Sequence, residues 1–281
     1  MRHLVIGASG AQGGAVARRL VADGRFVRGF TRTGGVPGGV ESFPGDLGDA
    51  GSVREAFAGM THASVTLPMV YEPGLVARQI GNVIEAARAA GIRRLVYNTG
   101  TRLPETDTGV AAFDTRRAAV EALLASGLPV VVVRPTIYLD NLLAPWVTGP
   151  LRATGELCFP LPAGLPVAWL SHGDLAEFTV AALTRDGLEG RVLDAGGPEA
   201  ATGHELAAAF GPEVRYAEQD VDAFEAGLAR ALGAATASGV AGTYRWIAAN
   251  DPVKLYGPGP SLDLHPASPR TWIAARRRET G

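Results

Sequence analysis

Leu4-Val5-Ile6-Gly7-Ala8-Ser9-Gly10-Ala11-Gln12-Gly13, running on into Ala15-Val16-Ala17-Arg18-Arg19-Leu20, is the stretch that decides the fold of this chain. The apolar triplet reads as a strand buried on both faces. The second block has helical rhythm, and Gly24 closes it. Between the two, glycine returns at every third position. Gly7 permits a tight turn, Gly10 lets the backbone approach a pyrophosphate, and Gly13 lets the helix pack closely on the strand. The amides and dipole of a helix start favour the anion. With 37 glycines in the chain, the triplet alone is a weak signal. The strand before it and the helix after it make it a dinucleotide-binding turn. Ser9 sits inside this phosphate turn and is not the nucleophile of a GxSxG elbow.

Working outward, the same alternation repeats. Strands are expected at Phe26 to Thr31, Val40 to Phe43, Ala63 to Leu67, Arg94 to Asn98 and Val130 to Val133. Thr33 to Gly39, with four glycines and a proline, reads as a loop. Ser52-Val53-Arg54-Glu55 has capping-box spacing. Leu75, Val76, Ile80, Val83, Ile84 and Ala87 form one helical stripe, which Gly91 stops. A further helix runs from Asp114 to Ala125. Strands alternating with helices at this spacing predict an α/β fold: a Rossmann-type parallel sheet with helices on both faces. Beyond about residue 145 the rhythm loosens into the proline-rich run from Phe159 to Pro166. Helices are then expected at Asp174 to Leu183, Gly203 to Phe210, Val221 to Leu232 and Pro269 to Arg278, with a short strand at Arg191 to Leu193. The expected organisation is a dinucleotide-binding core over residues 1–150 and a small C-terminal α+β substrate lobe over 151–281, interleaved with the core.

Bulk properties narrow the function. The chain has 281 residues, 47% hydrophobic and 19% charged, with a formal net charge of −2. That charge gives no broad attraction to nucleic acid or an anionic membrane. Arg276-Arg277-Arg278 reads as a solvated helix end rather than a nucleic-acid patch. One cysteine, Cys158, excludes an intrachain disulfide and a cysteine metal cluster. His3, His62, His172, His204 and His265 show no metal-ligand spacing, so no metal is expected. The apolar run before the first glycine is too short for a signal peptide, and no later run is long enough to span a bilayer. A cytoplasmic protein is expected, as monomer or homodimer, acting on a small molecule.

The choice of cofactor turns on Phe30-Thr31-Arg32. NAD-specific folds place an acid after the second strand for the ribose hydroxyls, and here none occurs until Glu41. Arg32 can instead hold a ribose 2′-phosphate through charge-assisted hydrogen bonds. The cofactor expected is NADP(H).

The turn, Arg32, Gly45-Asp46-Leu47 and Arg134-Pro135 together resemble the NmrA-like branch of the atypical short-chain dehydrogenases/reductases. GASGAQGG, the join AAGIRRLVY and SGLPVVVVRPTIYLDNLL carry the likeness, over roughly residues 2–185 and more loosely beyond. The resemblance implies that Gly10, Ala11 and Gln12 wrap the pyrophosphate and that Asp46 and Leu47 flank the adenine. It implies that Thr66, Leu67 and Pro68 line the cofactor beyond the fourth strand, and that Asn98, Thr99 and Pro135 lie near the nicotinamide. Independently, ligands of open α/β sheets sit beyond the carboxyl ends of the strands, where Leu67, Thr99 and Pro135 fall.

Catalytic members of the wider superfamily carry Tyr-x-x-x-Lys, the tyrosine giving the proton and the lysine holding the ribose. Here the match is Phe113-Asp114-Thr115-Arg116-Arg117, followed by Glu121. Phenylalanine has no proton to give. Arg117 keeps the charge and can hold ribose hydroxyls, but is no proton donor at neutral pH. Arg116 takes that role if the register slips by one. Tyr138, just past a strand's carboxyl end, is the first candidate donor, with water as the alternative. Tyr71 and His172 are further candidates, whereas Tyr97 reads as core. Two functions remain open. One is an NADPH-dependent reductase of a small, largely apolar carbonyl, enone or quinone, with Leu142, Leu143, Trp146, Phe159 and Trp169 able to line an apolar pocket. The other is a non-catalytic NAD(P)-binding sensor or regulator with a protein partner.

Overall fold

The computed structural model describes residues 1–250, 252–259 and 262–280, with side chains placed as far as Arg276. The chain divides into two compact units. The first is made of Met1–Leu103, Asp114–Pro135 and His172–Leu193. The second takes Pro104–Phe113, Thr136–Ser171 and the chain from Asp194 onward.

The first unit is built on a seven-stranded sheet in the order β3-β2-β1-β4-β5-β6-β8. The strands are β1 (Arg2–Ile6), β2 (Phe26–Thr31), β3 (Glu41–Pro44), β4 (His62–Thr66), β5 (Arg94–Asn98), β6 (Val130–Pro135) and, at the edge, β8 (Val192–Ala195). From β3 through β6 every pairing is parallel. Parallel strands need crossovers, which the helices supply: α1 (Ala11–Ala22), α2 (Ala50–Phe57), α3 (Pro73–Ala89), α4 (Ala111–Ala125) and α6 (His172–Thr184). Side chains alternate across a strand. Leu4, Ile6, Leu95, Tyr97, Val130 and Val132 therefore share one core with Val53 and Phe57 of α2 and with Val76, Ile80 and Val83 of α3. Helices α1 and α6 pack against each other, and Arg19 of α1 pairs with Glu177 of α6. The strand order reverses between β1 and β4, the crevice where such sheets take their ligands.

Two local readings change. The Ser52/Glu55 capping box does not form: α2 begins three residues earlier, where the Asp49 side chain accepts from the Gly51 amide at 2.9 Å. An aspartate one turn upstream offered an equally good cap and won. Helix α4 begins at Ala111 rather than at Asp114.

The second unit has its own core around Leu157, Phe159, Trp169, Leu206, Phe224, Tyr244 and Trp272. Strands β7 (Glu156–Phe159) and β9 (Arg215–Glu218) pair with each other in a parallel two-stranded sheet. Around them lie α5 (Pro145–Thr154), α7 (Gly203–Phe210), α8 (Val221–Leu232), α9 (Ala234–Asn250) and α10 (Pro269–Thr280). Helices α7 and α8 fall where the sequence puts them. By contrast α5, β7, β9 and α9 were not anticipated.

Candidate active site

The glycine turn joins β1 to α1 with little room to spare. Gly7 adopts φ +83°, a left-handed conformation that favours glycine, and its missing Cβ leaves space for the Thr66 carbonyl. A Cβ on Gly13 would overlap the Gly7 carbonyl oxygen, so only glycine lets helix and turn meet there. Gly10 caps α1 without any side-chain hydrogen bond, and Ser9, Gly10 and Ala11 are exposed. The first amides of a helix have no partner within it. The opening of α1 is therefore an outward-facing row of donors at the positive end of a dipole.

Two side-chain hydrogen bonds stitch this turn to the carboxyl ends of neighbouring strands, and a third joins two of those ends to each other. Ser9 Oγ meets Thr31 Oγ1 at the end of β2, at 2.7 Å. Asn98 Nδ2, closing β5, donates to Gln12 Oε1 at 2.7 Å and to Thr66 Oγ1, closing β4, at 3.3 Å. Asn98 Oδ1 accepts from the Gly100 amide at 2.9 Å. The adjacent Thr99 Oγ1 donates to the Thr101 carbonyl at 2.5 Å. Gln12, Thr66, Asn98 and the turn thus form one framework. Each had been singled out in the sequence, but not their bonds to one another, and Thr31 had been missed.

Arg32 follows β2 directly, is exposed, and makes no hydrogen bond or ion pair among the described residues. Asp46 is exposed, and its Oδ1 accepts from the Gly48 amide at 2.6 Å. The Leu47 side chain is buried in the first core, and only its carbonyl is used locally, by Asn82 Nδ2 at 2.8 Å. Leu67 is buried and Pro68 half-buried just beyond β4, and Pro135 is buried at the end of β6.

Helix α4 separates its two arginines. Arg117 is half-buried, its side chain 24% exposed and its Nε covered, and its Nη1 pairs with Glu121 one turn on at 2.8 Å. Arg116 is only 5% exposed. Its Nη2 donates to the Pro68 carbonyl at 2.6 Å, and its Cζ lies 5.3 Å from the centre of the Tyr71 ring. Its Nη1 has no hydrogen-bond partner among the described residues. Phe113 is buried edge-on against Trp246, ring centres 5.4 Å apart, and serves as a core aromatic.

The candidate donors also part company. Tyr71 is half-buried; burial pushes its phenol up, and the Arg116 charge works the other way. Tyr97 is wholly buried within β5, and burial pushes it up to about 12. Tyr138 belongs to the second unit, 5% exposed, its backbone bridged to Leu170. His172 opens α6, half-buried. Of the residues assigned to an apolar pocket, Leu142, Phe159 and Trp169 are packed into the second core. Only Leu143 and Trp146 stand exposed, at 45% and 41%. Arg276 lies over Trp272 at the end of α10, while the side chains of Arg277 and Arg278 are outside the described residues. No helix among the described residues is long and apolar enough to cross a membrane.

A parallel sheet with a glycine turn at its switch point and polar strand ends beside it defines a Rossmann-type dinucleotide-binding protein. The chain belongs to the NmrA-like family, whose pattern it matches over residues 2–224. It is 35% identical, over 80% of its length and 79% of the relative's, to a (4-alkanoyl-5-oxo-2,5-dihydrofuran-3-yl)methyl phosphate reductase of Streptomyces griseus. It is 29% identical, over 76% and 75% of the two chains, to an NAD(P)H azoreductase of Xenophilus azovorans. An NADPH-dependent quinone oxidoreductase of Escherichia coli, solved with NADPH, superposes with a TM-score of 0.73 at 22% identity, covering 99% of this chain and all of that one.

Proposed function

We propose that this chain is an NADPH-dependent reductase of a small, largely apolar carbonyl, enone or quinone compound. The observation that carries the reading is the exposed start of α1, which has no side-chain cap, together with Arg32 at the end of β2, which makes no ion pair among the described residues. A pyrophosphate fits the first, and the space a Cβ at Gly13 would fill is the space the turn needs. A 2′-phosphate fits the second. The relatives named as reductases support the chemistry.

Gly7, Ser9, Gly10, Ala11, Gln12 and Gly13 would hold the pyrophosphate, and Arg32 the 2′-phosphate. Asp46 and Leu47 would flank the adenine, and Thr66, Leu67, Pro68, Asn98, Thr99 and Pro135 would line the nicotinamide half. When bound, the cofactor supplies a hydride from C4 of its nicotinamide. The ribose cation assigned to Arg117 passes to Arg116, because Arg116 is nearly fully buried and donates to the Pro68 carbonyl while Arg117 Nη1 pairs with the exposed Glu121. Substrate recognition falls to the second unit, which exposes Leu143 and Trp146. The protein acts in the cytoplasm on a small molecule.

The test is titration calorimetry with all four nicotinamide species, followed by stopped-flow oxidation of bound NADPH against quinones, enones and aldehydes. Saturable NADPH binding with turnover on one acceptor class supports the reductase. One observation favours a second reading, a nucleotide sensor: Phe113 is closed into a core. Preference for oxidised cofactor, no turnover on any acceptor and a protein partner would establish it instead.

A further inference from the structure

Reduction of a neutral acceptor leaves a proton to be supplied, and Phe113 has none. We propose that Tyr71, on the segment between β4 and α3, gives that proton and that Arg116 positions it; this rests on the reductase reading above.

The geometry selects Tyr71 over Tyr97 and Tyr138, the tyrosines at or just beyond the strand ends. Tyr97 is sealed within its strand. Tyr138 is buried, 5% exposed, with its backbone bridged to Leu170. Tyr71 is partly open and lies five residues past Thr66, the hydroxyl that Asn98 ties to the Gln12 side chain in the glycine turn. Arg116 grips this segment twice, through the Pro68 carbonyl at 2.6 Å and beneath the Tyr71 ring at 5.3 Å. A guanidinium over a phenol ring is attracted to its π face and fixes its orientation. Arg116 also keeps Nη1 unspent while nearly fully buried. A buried donor without a partner is costly, and an acceptor oxygen arriving beside it would satisfy it.

The step balances. The acceptor carbon takes the hydride, its π pair moves onto oxygen, and that oxygen takes the proton from Tyr71 Oη. The reductant is NADPH, which ends as NADP+, and the phenolate is reprotonated by water. The Arg116 charge favours the phenolate as it forms, offsetting part of the cost of burial. Arg116 therefore does for Tyr71 what a lysine does for the usual tyrosine, from a different pair of elements.

Two acceptors separate the proton from the hydride. An α,β-unsaturated ketone needs both, whereas a triarylmethane cation needs only the hydride. Tyr71→Phe should lower turnover of the enone relative to the cation by about 10²-fold or more, the scale of general-acid catalysis. Equal loss on both acceptors, loss on neither, or the selective loss falling on Tyr138→Phe instead would overturn the proposal. If the cation is not accepted, enone turnover must fall while NADPH affinity by calorimetry does not. A measurement without cofactor completes the test. In protein carrying ring-labelled tyrosine, the NMR signal missing from Tyr71→Phe should titrate at higher pH in Arg116→Met, and return towards its original position in Arg116→Lys. A titration indifferent to Arg116 would refute the pairing even in an active enzyme. If no acceptor elicits NADPH oxidation by the wild-type protein, the reductase reading itself falls, and this proposal with it.

Discussion

The two ends of the parallel sheet treat polar side chains in opposite ways. At the carboxyl end Ser9, Gln12, Thr31, Thr66 and Asn98 bond one another beside an exposed glycine turn. At the amino end His3 of β1 and His62 of β4 sit side by side in register, ring centres 5.3 Å apart, both buried. Burial first, then the neighbouring His62, lowers His3 to about 4; burial lowers His62 as well. One end keeps donors within reach of a ligand, and the other hides groups that must stay neutral. The difference locates function at the carboxyl end more firmly than the glycine count does.

The comparison can be broken first with glycine. Gly13→Ala sets a methyl group against the Gly7 carbonyl, backbone against backbone, with no flexible group to give way. We expect a loss of about 3 kcal/mol in unfolding free energy and no measurable NADPH binding. Gly24→Ala at the other end has nothing within 4 Å of the added carbon, only a φ of +68° to oppose it. Its cost should be about 1 kcal/mol, with NADPH affinity intact. Urea unfolding and calorimetry on the pair read both effects, and similar binding losses would mean that the turn is not special.

Next in size is Arg32→Ala. Losing a charged hydrogen bond should weaken NADPH by about 1.5–3 kcal/mol, roughly ten- to 150-fold, and leave NADH nearly unchanged. Equal losses for both cofactors would defeat the 2′-phosphate assignment.

The amino end makes the third prediction. The unfolded chain titrates His3 near 6.5, while the folded protein holds it unprotonated down to about 4. Below pH 6.5 the unfolded state therefore binds more protons, and stability must fall with pH. The loss should begin near 6.5, reach about 3 kcal/mol by pH 4, and be nearly absent above 7. His3→Phe should flatten the slope in that window. An unchanged slope would return the acid sensitivity to carboxylates elsewhere.

Much of the first unit was legible because its determinants are local. Gly7, Gly10 and Gly13 lie within one turn of a strand and a helix, and the apolar run of each buried strand announces itself. The second unit hid its elements for identifiable reasons. Helix α9 buries Ala237, Ala241, Tyr244 and Ile247, a regular helical spacing in which two of the four are alanine and give little apolar contrast. Pro150 lies inside α5, where proline is a poor helix former, and among the described residues β7 pairs with the distant β9 alone. No local pattern reports such a partner. At the site, residue identities were readable but rotations were not: the sequence cannot say which of two adjacent arginines turns inward.

That rotation is also where the smallest effect should fall. Arg117 and Glu121 are an i, i+4 pair, with Glu121 64% exposed. Such pairs contribute about 0.3–0.5 kcal/mol, less in salt. Arg117→Ala should therefore cost no more than this in stability, and its effect on NADPH affinity should be within twofold. Arg116→Ala, one position earlier, removes a buried charged donor from the Pro68 carbonyl and the cation beneath Tyr71. Its cost should exceed 1.5 kcal/mol, since a hydrogen bond to a charged group is worth that much and the carbonyl is left without it. Measured side by side, the two variants decide which arginine replaces the lysine. A larger binding defect at Arg117 than at Arg116 would rotate the assignment back to the register that Tyr-x-x-x-Lys spacing suggests.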